Sequence, residues 1–586
     1  IKAPGSKGIV TANGANNSDL VTGNIDVQNG SAEATKNVEG TAGGDKKFGD
    51  KTLSVPRGGL TNSKVKDSVG NVITPTVIDT TSATRTADIQ VSNDPIAKAT
   101  YNRNILKEHQ DFGSISKIGM YVDTSGVNFT NPIEGLNNLT GLKKADLIVG
   151  AEAAEYTNAK TLTVGKNILK RYNTALLNSR VEKWDILSGS LTWAAVPLKL
   201  GASGEVEGVL LTKVDYKEYA KNSTTPYNFL DGLEQRYDKN ALDSKEKRVF
   251  NKLNSIGKNE PILLSQAFDE MLGHQYANVQ QRIQSTGDVL GKEFNYLRSE
   301  WQTVSKDSNK IKVFGTRGEY NTDTAGVIDY KNHAYGVAYV HEDETVKLGE
   351  GTGWYAGIVH NTFKFKDIGN SKEEQLQGKV GIFKSVPFDN NNSLNWTISG
   401  DIFAGYNKIN RRFLVVDEIF HAKGRYRSYG IGIKNEIGKE FRLSESFTLR
   451  PYAALGLEYG RMTKIKEKSG EMKLEVKSND YFSIRPEIGA ELAFKQYFGR
   501  KTLKAGVSVA YENELGRVAN GKNKARVAGT DADWFNIRGE KEDRRGNVKS
   551  DLNIGIDNQR IGVTANVGYD TKGHNVRGGL GLRVIF

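Results

Sequence analysis

The thirteen residues that end the chain, His574 to Phe586, restrict its fold more than any other stretch. Val576, Gly578, Leu580, Leu582, Val584 and Phe586 share one face of an extended strand. Asn575, Arg577, Gly579, Gly581 and Arg583 share the other, with Ile585 the one apolar residue among them. Side chains alternate across a strand with a period of two, so one surface suits hydrocarbon and the other suits water. The strand runs to the chain end and stops on an aromatic residue.

Bulk composition hides this pattern. The mean hydropathy is −0.52 and 26% of the residues are charged. No run approaches the roughly eighteen apolar residues of a spanning helix, which excludes a helical membrane protein. A transmembrane β-barrel remains open, because its strands need only about ten alternating residues. The chain has 586 residues and no cysteine, which rules out a disulfide framework and thiolate metal sites. Its net charge of +12 raises nucleic acid as a partner. The Lys and Arg residues are dispersed among acids with no stripe or motif, so nucleic-acid binding is not expected. The chain starts at Ile1 with no Met and no charged-then-apolar leader, as the C-terminal part of a longer protein would.

The closing pattern recurs upstream. Alternation is clear at Leu394–Tyr406, Phe447–Tyr459, Ile484–Phe494, Leu503–Tyr511, Leu552–Ile556 and Ile561–Tyr569, and weaker at 310–318, 333–342, 353–366, 375–384 and 424–437. With the last strand this predicts twelve, an even number, as closure of a single-chain antiparallel barrel requires. Trp354, Tyr406, Phe447, Tyr459, Phe494, Tyr511 and Tyr569 sit near strand ends, where interfacial girdles place aromatics. A soluble β-sandwich also alternates, but it hides its apolar face and rarely combines small and charged residues on one face of so many long strands. The opposite faces here carry Arg450, Glu458, Arg485, Glu487, Glu491, Arg577 and Arg583, which would line a polar lumen. The longest loop, about 515–548, holds Asn520 to Asn523 and the charged run Glu540 to Arg545.

Ahead of the barrel, from Pro261 to Trp301, apolar residues recur at threes and fours, which predicts a helix. Pro261 suits a first helical turn. Glycines weaken the helix, and a break is expected near Ser285-Thr286-Gly287. A position just before the first strand, with His274, Gln275, Asn278, Gln281 and Arg282 on a polar side, suits a segment that plugs the lumen. Residues 1–258 differ again. The first hundred are rich in Gly, Asn, Thr, Ser and Asp, with short strand-like pieces at Gly8–Ala12 and Ile73–Val77. Ser114–Val127, Ala145–Ala151, Lys160–Val164, Ser188–Leu200 and Glu205–Val214 read as further strands, consistent with a β-solenoid, and 228–258 as a helical, charged junction. The domains are thus 1–258, a linker and plug helix at 259–303, and a barrel at 304–586. The expected fold is all-β with one helix: a twelve-stranded antiparallel transmembrane barrel with a central plug helix, preceded by a solenoid-like segment.

This order resembles the monomeric, type Va autotransporters of type V secretion. Gly336-Val-Ala-Tyr-Val-His341, Asn435-Glu-Ile-Gly-Lys-Glu440, Arg485-Pro-Glu-Ile-Gly-Ala490 and the closing Gly581-Leu-Arg-Val-Ile-Phe586 are similar to the large fusobacterial adhesin autotransporters. The resemblance implies an outer-membrane location and export of the first 250 or so residues as a surface passenger, with an autochaperone-like end. It implies that Leu582, Val584 and Phe586 act as a signal for the barrel-assembly machinery, with periplasmic chaperones as further partners. It implies outer-membrane lipids and lipopolysaccharide around a monomeric barrel, and host-cell or bacterial surface receptors for the passenger. Some members cut themselves at an Asn-Asn pair in the helix; here Ala277 precedes Asn278, so a retained passenger is expected.

Catalytic chemistry is not expected. A Ser-His-Asp triad needs a histidine base, and His109 is the one histidine ahead of the helix. Gly201-Ala-Ser-Gly204 departs from a nucleophile elbow, since Glu205 follows. Asp123-Thr-Ser-Gly126 reads as a strand-end turn. No His pair stands at metal-ligand spacing and no D-x-D-x-D-G calcium loop occurs, so no cofactor is expected. Two other readings stay open: an enzymatic passenger lying upstream of Ile1, and a porin-like channel with an unrelated N-terminal domain.

Overall fold

The structure, a computed structural model, describes residues 6–12, 18–23, 34–35, 45–48, 51–54, 115–122, 132, 136 and 141–586, except 201–204, 221–224, 259, 300–306, 323, 325, 345–349, 390–392, 519–522, 538, 540–545 and 559. His109, the strand expected at Ile73–Val77, the Asp123 turn, the Gly201 motif and the Glu540–Arg545 run lie outside the described residues. The chain forms two compact units. One holds Ile1–Met271, Phe413–Phe420 and Gly529–Asp533; the other holds Leu272–Arg412, His421–Ala528 and Trp534–Phe586.

In the first unit, β1 (Ser6–Ala12), β2 (Ser18–Gly23) and β3 (Ala34–Thr35) pair antiparallel, and β4 (Asp45–Phe48) pairs with β5 (Lys51–Ser54). β1 continues the sheet into β6 (Ile115–Val122), β7 (Lys144–Val149) and, past β8 (Thr161–Val164) and α1 (Lys166–Leu177), into β9 (Lys183–Ser188). β6, β7 and β9 run parallel, with Lys117 opposite Lys144 and Lys144 opposite Lys183. Beside this sheet, β10 (Trp193–Leu200), β11 (Val206–Lys213) and β8 form an antiparallel sheet in the order β10-β11-β8. α1 closes the core, burying Leu169, Tyr172 and Leu176 with Val122, Leu147, Val149, Trp193, Val209 and Leu211. Neither α1 nor β9 was expected from sequence. The expected junction is two helices, α2 (Thr225–Lys239) and α3 (Lys245–Asn254), followed by α4 (Pro261–Met271).

Two buried lysines tie these helices down. Lys213 Nζ meets Glu234 Oε2 at 2.5 Å, and both side chains are almost fully enclosed. Burial alone would raise the Glu234 carboxyl; the Lys213 ammonium and the backbone N–H of Tyr216 hold it below its usual range. Lys247 Nζ donates to the carbonyls of Ala154 and Thr157 at 3.0 and 2.6 Å, with no carboxylate in contact. Burial pushes its pKa down to about 8.

The second unit is a closed antiparallel barrel. Twelve long strands make the wall: β12 (Asp307–Tyr320), β13 (Tyr330–Glu344), β14 (Gly351–Phe365), β15 (Lys372–Pro387), β16 (Leu394–Val415), β17 (Glu418–Lys439), β19 (Phe447–Met462), β22 (Asn479–Phe498), β23 (Lys501–Asn513), β26 (Gly546–Asp557), β27 (Ile561–Asp570) and β28 (Asn575–Ile585). The short β18 (Phe441–Arg442), β20 (Ile465–Gly470), β21 (Leu474–Val476), β24 (Lys524–Val527) and β25 (Phe535–Asn536) extend strand ends and loops. All twelve alternating stretches seen in the sequence are wall strands. β28 closes on β12, with Val313 opposite Leu582 and Ile311 opposite Val584. Asn309 and Phe586 exchange backbone hydrogen bonds at the foot of that seam, 3.2 and 2.9 Å long.

The pleat sorts side chains as expected. Leu580, Leu582 and Phe586 are exposed at 69%, 47% and 68%, whereas Arg583 on the opposite face is exposed at 2%. Trp354, Tyr406, Phe447, Tyr459, Tyr511 and Tyr569 all face outward. An apolar outer surface on a closed barrel satisfies every backbone group internally, which is what hydrocarbon requires. Connections at the Phe586 end are short where described, as at Phe498–Lys501. The opposite end carries the 462–479 and 513–546 excursions, and in a barrel of this kind the long loops face outside the cell.

Candidate functional site

A helix runs within the barrel. α5 (Val279–Ser299) is preceded by a 3-10 turn at His274–Tyr276. The helical stretch expected from Pro261 onward is interrupted at Gly273, not near Ser285–Gly287. Gly273 has φ of 83°, a left-handed conformation that ends a helix and favours glycine. Thr286 stays inside α5 because its hydroxyl finds acceptors, donating to the Arg282 carbonyl at 3.0 Å and to Gln375 at 2.7 Å.

One side of α5 is apolar and packs on the first strands of the wall. Leu290, Phe294 and Leu297 are buried against Phe314, Ala334, Ala338, Val340, Tyr355, Val359 and Phe383 of β12 to β15. The Phe294 and Tyr355 rings lie 4.6 Å apart between centroids. The helix comes this close because β14 has Gly357 beneath it; a Cβ there would stand 2.8 Å from Leu290 Cδ2. Polar contacts surround the apolar patch. Arg282 meets Glu373 at 2.5 Å and Lys312 meets Glu293 at 2.6 Å, all four side chains buried. Lys310 donates to the Leu297 carbonyl at 2.9 Å, which satisfies a backbone acceptor in the last turn and places a cation at the negative end of the helix dipole. Lys379 donates to the Gly287 carbonyl at 3.1 Å. Ahead of α5, Gln275 reaches Asp367 and Ser371, and Asn523 bridges Gln280 and the Tyr276 carbonyl.

α5 thus has a direction. Its beginning contacts Asp367, Ser371 and Asn523 at the long-loop end, and its last turn contacts Lys310 beside the Asn309–Phe586 seam. On its far side lies a cavity of about 1280 Å³. The lumen residues expected from sequence, Arg450, Glu458, Arg485, Glu487, Glu491, Arg577 and Arg583, all line it. They pair mostly with one another and with neighbouring strands. Arg450 meets Glu436 at 2.9 Å and Glu491 at 3.5 Å. Glu487 meets Lys549 at 2.5 Å. Arg485 meets the helix at Asp288, 2.9 Å, while also reaching Glu458 at 3.3 Å. Arg577 is held by Asp570 and Asp551, and Arg583 by Asp557, at 2.8 to 2.9 Å. Asp551 also takes Lys292 of α5 at 2.7 Å, so Arg577 reaches the helix only through a shared acid.

Of the plug residues expected from sequence, Arg282 and Asn278 are buried, while His274 and Gln281 are half-buried. The stronger barrel partners, Glu373, Gln375, Lys312 and Lys379, were not anticipated. Each lies on the inward face of a strand whose alternation is weak. Among the described residues no group of three His, Asp or Glu side chains could hold a metal ion.

A closed twelve-stranded barrel with an apolar exterior, a charged lumen and an axial helix defines a transport protein of the outer membrane. Residues 310–568 match the family described as the autotransporter β-domain, a match that supports an outer-membrane translocator of type V secretion, and the barrel resides in the outer membrane. Among solved structures, the chain is similar to the translocator domain of autotransporter NalP from Neisseria meningitidis, at 12% identity over 53% of this chain and 99% of that one, with a TM-score of 0.40. It is similar to the β-domain of the Bordetella autotransporter Brka, at 11% identity over 48% and 100%, TM-score 0.35. The transport unit of AIDA-I from Escherichia coli matches at 11% identity over 54% and 98%, TM-score 0.32. No curated protein matches the chain.

Proposed function

We propose that the barrel exports the residues ahead of α5 to the cell surface and keeps them there as an adhesin that engages host cells or other bacteria. The observation that carries the export reading is the direction of α5, which begins at the long-loop end of the lumen and ends beside the Phe586 seam. That direction supports export of the residues upstream of Leu272. Retention is supported by Ala277 standing where an Asn-Asn cleavage pair would need its first residue. Adhesion is supported by the resemblance to fusobacterial adhesin autotransporters and by the polar, Gly- and Asn-rich first hundred residues. Leu582, Val584 and Phe586 form the outward signal for the assembly machinery, reached with the help of periplasmic chaperones. The test is protease treatment of intact cells expressing the chain. Loss of residues 1–258 with a surviving barrel is expected, and a protected N-terminal segment would contradict export.

A further inference from the structure

We propose that the long-loop end of the barrel carries a binding surface for a linear, sulfated polysaccharide, on the outer face of the small sheet β20-β21-β24-β25. This sheet is built from the 462–479 and 513–546 excursions and has two unlike faces. Ile465, Leu474, Val476, Ala525, Val527 and Phe535 are buried on one. Lys464, Lys466, Lys477 and Lys524 are exposed on the other, with Arg526 and Trp534 half-buried among them. The register lines these side chains up. Lys466 lies opposite Glu475, and Glu475 opposite Arg526, across three neighbouring strands. Two residues along, the Lys477 N–H donates to the Lys524 carbonyl at 2.9 Å, and the same register sets Lys464 on the other side of Lys477. Neighbouring strands stand about 4.8 Å apart, so this second row brings three lysines side by side. Like charges facing each other across strands destabilise a sheet, and an anion laid over them removes that cost.

Glu475 supplies part of the counter-charge, shared three ways. It meets Arg526 at 3.2 Å, Lys464 at 3.4 Å and Lys466 at 3.9 Å. Among the described residues, Lys477 and Lys524 have no carboxylate within ion-pair distance. Trp534 holds the cations in place. Arg526, Lys477 and Lys464 lie 4.5, 4.7 and 6.0 Å from its ring centroid. Cations held over a ring lose less side-chain freedom when a ligand arrives.

The spread of the cations decides the partner. They occupy an open face across three strands, which a single small anion would not span. A chain with one carboxylate per repeat spaces its charges too widely for lysines on adjacent strands, whereas sulfate groups can stand on every sugar. Single-stranded nucleic acid stacks its bases on free aromatic rings, and the Trp534 ring is already taken up by cations. The surface belongs to the barrel and is independent of adhesion by residues 1–258. The outer-membrane placement of the barrel turns this end outward.

The experiment measures binding of the full chain, folded in detergent, to immobilised heparin and to its desulfated form. Wild type is compared with K464Q/K477Q/K524Q and with K331Q/K364Q/K408Q, which removes three exposed cations from the barrel wall. The first variant is expected to bind heparin about tenfold or more weakly, since each exposed ion pair contributes a factor of about two to five. The second should match wild type. Desulfated heparin should bind weakly to all three, and wild-type affinity should fall as salt is added. Both variants should keep the heat-shifted gel mobility of wild type, because the substitutions relieve repulsion on exposed surfaces. Failure of wild type to bind, equal binding by the first variant, or equal binding of the desulfated form would overturn the surface. Tighter binding of single-stranded DNA or of lipid A vesicles, weakened by the same three substitutions, would assign it to a different partner and also overturn it.

Discussion

Arg282 of α5 and Glu373 of β15 form an ion pair enclosed to 1% and 0% exposure, 2.5 Å apart. The Tyr426 hydroxyl and Gln375 Nε2 also donate to Glu373, and the guanidinium lies 4.8 Å from the centre of the Phe365 ring. Removing one partner of such a pair leaves a buried charge uncompensated, at a cost of about 3–5 kcal/mol, whereas exposed pairs contribute about 0–1 kcal/mol. Asp288, which meets Arg485, is 47% exposed.

Glu373→Ala should therefore destabilise the seated helix severalfold more than Asp288→Asn. Replacing both partners, as in R282M/E373L, should recover most of the loss. Urea titration of the folded barrel in vesicles, read by gel mobility, checks the order. Equal midpoints for E373A and D288N would contradict it.

Gly357→Val should loosen α5 while leaving the wall closed. The added Cβ would stand 2.8 Å from Leu290 Cδ2 and 3.0 Å from Phe294 Cζ, and overpacking of this kind costs about 1–3 kcal/mol. Trypsin is the readout: cleavage within 279–299 should rise while the barrel keeps its heat-shifted mobility.

Much of this barrel was legible because half of each strand faces hydrocarbon and half faces water, so alternation survives in the sequence even where mean hydropathy does not. The lumen-facing identity of Arg450, Glu487 and Arg583 followed from the same rule. Which charge meets which did not follow, because pairing depends on cross-strand register. Arg583 turns to Asp557 of β26, two strands away through the Gly562 region, and no periodicity reveals that. Glu373 escaped notice because β15 places Lys372 and Glu374 outward beside it, which blurs the polar-in pattern. The helix break was misplaced because Ser285-Thr286-Gly287 looks weak in isolation, yet Thr286 is held by Gln375 and Asn361 of the wall. α1 carried a helical signal in Leu169, Tyr172 and Leu176, a spacing hidden among polar residues.

Lys247 gives the first unit a pH dependence of definite sign. Its folded pKa, near 8, lies below the ordinary 10.5, so between those values the unfolded chain holds a proton that the folded one has lost. Stability around α3 should rise as pH climbs from about 8 to about 10.5. Protection factors of α3 amides in the full chain, taken relative to the intrinsic exchange rate at each pH, should increase over that window, and K247M should flatten the slope. An unchanged slope in K247M would assign the effect elsewhere.

Two separable roles are proposed for Phe586. Its backbone closes the seam with Asn309, and its exposed ring stands where the assembly machinery would read it. Deleting Phe586 should lower the amount of assembled barrel in the outer membrane. Phe586→Ala keeps the backbone bonds, so an equal loss would attribute the effect to the ring, and wild-type levels would attribute it to the seam.

The central claim is that α5 occupies the pore through which the chain is exported. Single-channel conductance of the full chain and of a chain lacking residues 279–299, each inserted in planar bilayers, tests it most directly. The full chain should conduct weakly through the cavity beside the helix, and the deletion should open a larger, stable conductance. Equal conductance from both proteins would contradict the account.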